Sequence, residues 1–89
     1  MSLVAVQMKV MPESADTDMG VLKEKIINNM PKSAKLNGEI EEEPIAFGLK
    51  ALIVTVLVED DEGGVESVEE AINAIPEAES IQIITMTRI

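Results

Sequence analysis

The chain has 89 residues, of which 46% are hydrophobic, with seven Lys and Arg against 17 Asp and Glu and a formal net charge of −10. This composition predicts one domain with a true core and excludes a disordered chain. Clustered cations and stacking aromatics are too few for nucleic-acid binding, and because Cys and His are absent, disulfides, thiolate chemistry and imidazole catalysis are excluded.

No membrane segment is expected. The longest apolar run, at residues 52–58, is far shorter than the roughly 20 residues that a membrane-spanning helix needs. The N-terminus lacks the basic region and long apolar stretch of a secretory signal. We therefore expect a cytoplasmic protein that does not bind membranes.

The chain begins with a predicted strand at residues 3–11, where apolar residues alternate and Pro12 ends the pattern. The core-facing set is Val4, Val6, Met8 and Val10. An amphipathic helix follows, capped by Asp16, Thr17 or Asp18 and stopped by Pro31. Its apolar stripe is Met19, Leu22, Ile26 and Met30.

Residues 36–46 allow two interpretations. Asn37-Gly38 could form a hairpin turn, but a weak edge strand is preferred because charged residues on an edge discourage unwanted pairing. Residues 44–48 are predicted to form a turn or loop.

The second half repeats the pattern. Residues 49–59 predict a central strand, since both of its faces are apolar. An acidic loop at 59–64 leads to a helix that Pro76 ends, with the apolar stripe Val65, Val68, Ile72 and Ile75. In the closing strand, Ile81, Ile83 and Thr85 alternate with Gln82, Ile84 and Met86.

This order of elements predicts an α+β fold. It is the ferredoxin-like β-α-β-β-α-β sandwich, a four-stranded antiparallel sheet with two helices on one face and the first and third strands in the middle. One domain is expected to span residues 1–89.

No residue pattern indicates catalysis or a resident metal or cofactor. Glu39 and residues 41–43 could bind a divalent cation, although a solvated charged edge explains them better. Residues 60–62 lack the ligand spacing of a calcium loop. An acylphosphatase-like hydrolase would need an Arg and an Asn, and the only Arg is Arg88. The methionines at 8, 19, 30 and 86 are interpreted as core residues.

Two lone residues favour a binding function. Phe47, the only aromatic, lies in a predicted loop, where it could anchor a partner or fold back onto the sheet. Arg88 is an isolated cation next to the C-terminus of an acidic chain, and could be a partner contact or an ordinary surface charge.

The sequence resembles the archaeal elongation factor one-beta family over nearly its whole length. The most characteristic block, shared with the eukaryotic exchange domain, is residues 43–52 (EPIAFGLKAL) followed by 58–61 (VEDD). Supporting similarity lies at residues 10–14 (VMPES), 16–19 (DTDM), 81–83 (IQI) and 87–89 (TRI).

The resemblance implies a ferredoxin-like fold and guanine-nucleotide exchange on elongation factor one-alpha, the GTPase that delivers aminoacyl-tRNA. It implies that Phe47 matches a loop aromatic that enters a pocket of the GTPase. Arg88 occupies the position of a penultimate lysine that reaches toward the magnesium site, so the charge is kept but the shape is not. The implied partner-binding residues are Pro44, Ile45, Phe47, Gly48, Arg88 and Ile89.

A mechanism follows as a hypothesis. Flexible C-terminal residues would present the Arg88 cation near the magnesium position, while Phe47 would hold the switch region in a conformation unsuited to the nucleotide. The free protein is expected to be a monomer. The alternative is a small-molecule-sensing regulatory module on the same scaffold, which would dimerise through its sheet and bind an amino acid.

Overall fold

Five strands and two helices make up the described part of the chain, residues 3–32, 34–59 and 64–88, in a computed structural model. In chain order they are β1 (Leu3–Pro12), α1 (Met19–Asn29), β2 (Ala34–Leu36), β3 (Glu41–Pro44), β4 (Lys50–Glu59), α2 (Gly64–Asn73) and β5 (Ala78–Arg88). Most of the predicted acidic loop, at residues 60–63, and the predicted contact residue Ile89 lie outside the described residues.

All five strands join one antiparallel sheet in the order β2-β4-β1-β5, with β3 also paired to β4. The two long strands β1 and β4 are therefore neighbours in the middle, which confirms the predicted topology. Their register sets Val6 opposite Val56 and Met8 opposite Val54. Opposed residues of antiparallel strands share a face, so the inward sets of both strands meet under the helices.

The core lies between this sheet face and the two helices. Even-numbered residues of β1 and β4 fill it from the sheet, and α1 and α2 contribute their predicted stripes from the other side. Its buried members are Val4, Val6, Met8, Val10, Leu22, Ile26, Leu52, Val54, Val56, Val58, Val68, Ile72 and Ile75. On the opposite face of β4, Ile53 and Leu57 are half-buried although no described helix covers them, as the two-sided apolar pattern predicted.

The predicted edge strand at residues 36–46 is two short strands. β2 pairs with the far end of β4 and β3 with its beginning, and β2 and β3 do not pair with each other. The hairpin turn at Asn37-Gly38 is therefore wrong, because both flanking segments pair with the same edge. Pro44 closes β3, and the connection to β4 is the short turn predicted for residues 44–48.

The closing strand departs from the predicted alternation. Gln7 pairs with Thr85 and Met8 with Ile83, so Ile84 is a bulge without a counterpart on β1. After this bulge the faces exchange, and Met86 shares the helix side with Ile83. Met86 is nevertheless 56% exposed, so its assignment to the core was wrong. Met8 is fully buried, and Met19 and Met30 pack against the core.

Candidate functional site

Phe47 lies at the tip of the connection between β3 and β4. The backbone N–H of Leu49 donates to the carbonyl oxygen of Ala46 at 3.2 Å, and the N–H of Ile45 donates to the carbonyl of Leu49 at 2.8 Å. These two hydrogen bonds close a tight turn around Phe47 and Gly48. The ring is not folded back onto the sheet, because Phe47 is 94% exposed.

The backbone of this turn is strained at its aromatic residue. Phe47 has φ 63° and ψ 31°, and Gly48 has φ 76°. Two successive positive φ angles are typical of a type I′ turn, in which Asn, Asp or Gly is the usual first residue. Among the described residues Phe47 alone combines a side chain with a positive φ. For a bulky residue this conformation is a true outlier, of the kind that accumulates at functional sites.

The other predicted contact residues at this end flank the turn. Pro44 is exposed and Ile45 is half-buried. Gly48 and Lys50 also line a cleft of about 350 Å³, whose opposite wall is the segment from Pro12 to Met19. The end of the sheet near Phe47 therefore offers a ring, a proline and a polar cleft to a partner.

Arg88 lies at the other end of the sheet. It is exposed, it is the last described residue of β5, and it pairs with Val4. The predicted flexibility of the C-terminal residues therefore does not extend to Arg88, whose backbone belongs to the sheet. Met86 shares its face, since it pairs with Val6. The exposure of Met86 has no signal in the sequence, because an apolar residue in a strand suits a buried face equally well.

Phe47 and Arg88 are far apart. Phe47 lies just before Lys50, at the beginning of β4, whereas Arg88 is level with Val58, near the end of β4. Eight residues of strand span about 26 Å, and the strands between the β3–β4 turn and β5 add about 12 Å sideways, which gives a diagonal of ~30 Å. No side chain can close that gap, so one partner can meet both residues only at two separate regions.

The acidic edge, which comprises Glu39 and residues 41–43, includes two carboxylates that form ion pairs. Glu43 Oε2 lies 3.4 Å from Lys9 Nζ on the uncovered face, and Glu42 Oε2 lies 2.9 Å from Lys23 Nζ on the helix side. The hydrogen bond and charge of Lys23, with a smaller effect of Lys50, lower the pKa of Glu42. No group of three or more acidic residues is arranged for a metal ion in the described ranges. The ion pairs of Glu42 and Glu43 fit the charged-edge interpretation.

Within the described residues, no helix combines the length and apolar character that crossing a membrane would require.

Comparison with known proteins accounts for nearly the entire chain. It is 56% identical to elongation factor 1-beta of Methanosarcina barkeri over 86 residues, which cover 97% of both chains. It is 54% identical to elongation factor 1-beta of Methanosarcina mazei over the same length and the same shares of both chains. Identity to elongation factor 1-beta of Halobacterium salinarum is 44% over 89 residues, the whole of both chains.

A family match gives the same result. Residues 5–89 match the EF-1 guanine nucleotide exchange domain, and this range contains the Phe47 turn, Met86 and Arg88. The chain therefore belongs to the EF-1 guanine nucleotide exchange domain family, whose members act in translation elongation.

Proposed function

We propose that this chain promotes exchange of GDP for GTP on elongation factor 1-alpha by binding and stabilising the nucleotide-free GTPase. The family and the names of the relatives support nucleotide exchange in elongation. The observation that carries the proposal is the exposed, strained Phe47, because a chain with one aromatic residue has no folding reason to expose it almost completely.

Thermodynamic linkage determines what a nucleotide exchange factor must do. A GTPase holds GDP through its phosphate loop and a magnesium ion. A protein that binds the nucleotide-free form more tightly than the GDP form weakens GDP binding by the same factor by which GDP weakens its own binding. This chain therefore needs contacts whose strength differs between the two forms of the GTPase.

The separation of ~30 Å between Phe47 and Arg88 supports different roles for the two ends of the sheet. Phe47 cannot contact the switch region beside the magnesium site while Arg88 reaches that same site. We therefore revise the hypothesis for Phe47: its ring is an anchor in a pocket distant from the nucleotide. Arg88 alone acts on the magnesium site, where its cation disfavours the ion.

The Phe47 anchor can contribute only a limited binding free energy. Burying a well-packed Phe contributes roughly 2–3 kcal/mol, enough to hold the domain in register but too little for tight binding alone. Met86 adds a flexible apolar contact beside Arg88, since both are exposed on the same face of β5. Each end of the sheet would thus offer one apolar contact.

The same proposal covers the remaining properties. The chain is one exchange domain over residues 1–89, it acts on a partner GTPase and catalyses no covalent step of its own, it is monomeric when free, and it works in the cytoplasm, where translation elongation takes place.

Release of a fluorescent GDP from elongation factor 1-alpha tests the proposal. The unmodified chain should accelerate release. Phe47→Ala should raise the half-saturating concentration by about 30- to 150-fold, the equivalent of the lost burial. Arg88→Ala should lower the maximal rate instead. Release as fast with both variants as with the unmodified chain would remove both assigned roles, and no acceleration by the unmodified chain would overturn the function.

A further inference from the structure

The ring of Phe47 has almost nothing of its own chain to rest against. At 94% exposure its direction cannot be set by packing. What remains is the backbone, because the Cα–Cβ bond of residue 47 points where the turn directs it. The conformation of the turn therefore decides where the ring is presented.

Gly48 is the residue that allows this turn. Its φ of 76° continues the positive φ of Phe47, and the Leu49 N–H then reaches the Ala46 carbonyl at 3.2 Å. Apart from its two chain neighbours, a Cβ built on Gly48 would meet no atom within 4 Å. The requirement for glycine is therefore one of backbone conformation alone, since space is available.

We propose that Gly48 is a positioning residue for partner binding: its left-handed backbone holds the turn that directs the Phe47 ring outward before the partner arrives. The inference rests on the proposed exchange function and adds to it a residue that acts through its backbone conformation. A preset ring saves the partner the cost of ordering it on binding.

A smaller population of the binding-competent turn has a defined effect on the kinetics of GDP release. If only a fraction of the molecules holds the binding-competent turn, the apparent dissociation constant rises by the inverse of that fraction. The complex, once formed, is unchanged. A defect in positioning therefore raises the half-saturating concentration for GDP release and leaves the maximal rate intact.

Three substitutions separate this role from general stability. Gly48→Ala penalises the positive φ, and the half-saturating concentration should rise about five- to thirtyfold. Gly48→Asn should remain within about threefold of the unmodified chain, because Asn tolerates the left-handed region. Gly38→Ala is the matched control: Gly38 also has a positive φ, of 82°, and an added Cβ there also meets nothing within 4 Å. It should lose similar stability without loss of exchange.

A chemically assembled chain with D-alanine in place of Gly48 is the second test. D-alanine favours a positive φ, so exchange should be retained although a methyl group has been added. This variant also covers the case in which Gly48→Ala fails to fold.

The outcomes are distinct. Equal exchange by Gly48→Ala and Gly38→Ala would overturn the positioning role, as would a D-alanine chain that folds but has lost affinity. If the unmodified chain itself does not accelerate GDP release, the proposed function fails instead.

Discussion

Lys25 on α1 contacts Glu77, in the connection between α2 and β5, with 2.5 Å between Nζ and Oε2. The pair joins the two halves of the chain across the helix layer. The hydrogen bond from Lys25, together with a backbone hydrogen bond, lowers the pKa of Glu77 below its ordinary value of 4.5. The carboxylate is thus held in its charged form by folding.

Glu77→Gln is predicted to lower the melting temperature at neutral pH. Because the folded pKa is depressed, the stabilisation is fully present above pH 4.5 and is lost as the pH falls through the folded pKa. The difference in melting temperature between the unmodified chain and the variant should therefore narrow below pH 4.5. Thermal unfolding followed by circular dichroism over an acid pH series measures it.

Glu79→Gln provides the control for this pH series, since Glu79 is an exposed carboxylate two residues further along, on β5. It removes the same charge from an acidic chain. If both variants follow the same pH dependence, the effect belongs to the net charge rather than to the contact with Lys25.

Asp18 is predicted to contribute to stability as the helix cap. Its Oδ1 accepts hydrogen bonds from the backbone N–H groups of Gly20 at 2.9 Å and Val21 at 3.2 Å. Asp18→Ala should cost about 1 kcal/mol of unfolding free energy, as measured by urea denaturation. Asp16→Ala removes the same charge from the same loop without a cap. An equally large loss of unfolding free energy in Asp16→Ala would contradict the assignment of Asp18 as the helix cap.

Periodicity predicted most of the fold because buried faces leave a regular pattern. The alternation of residues 3–11 was sufficient to predict β1, and the stripe that contains Leu22 and Ile26 was sufficient to predict α1. The bulge at Ile84 could not be predicted, since Ile83, Ile84 and Thr85 suit either face of a strand. The division of the second strand into β2 and β3 could not be predicted either. It depends on the pairing of both pieces with β4, which no local pattern in the sequence indicates.

The site was only partly predictable. The position of Phe47 between two strands identified it as a loop residue, but no local signal indicates a positive φ, because aromatic residues avoid that conformation. Its distance from Arg88 depends on the pairing register, which connects residues far apart in the chain. The sequence therefore identified both residues without showing that they lie at opposite ends.

Phe47→Asn is predicted to stabilise the free protein while impairing exchange. Asn tolerates the left-handed region, and the exposed ring gives up almost no packing, so the free energy of unfolding should rise by about 1 kcal/mol. The same change removes the proposed anchor. Urea denaturation and GDP release, measured on one preparation, provide the two readouts. A variant that is both less stable and fully active would contradict the strain and the anchor together.

Arg88 is predicted to act through its charge. Arg88→Lys should keep most of the exchange activity, whereas Arg88→Ala should lower the maximal rate of GDP release by about fivefold or more. Lys35→Ala is the control, because Lys35 is an exposed cation on β2, at the same end of the sheet but on its opposite edge. A similar loss in Lys35→Ala would indicate a general electrostatic effect.

The net charge of −10 is predicted to speed association with the GTPase. A GTPase that carries tRNA presents basic surface, so an acidic partner is steered toward it, and salt screens that attraction. The screening length falls from about 10 Å at 0.1 M salt to about 3 Å at 1 M, so the association rate should fall steeply over this range. Stopped-flow experiments measure the association rate at each salt concentration. GDP release from the GTPase alone is the reference. The dissociation rate should vary much less, because the proposed anchor, Phe47, is apolar. An association rate independent of salt would show that the acidic surface takes no part in the encounter.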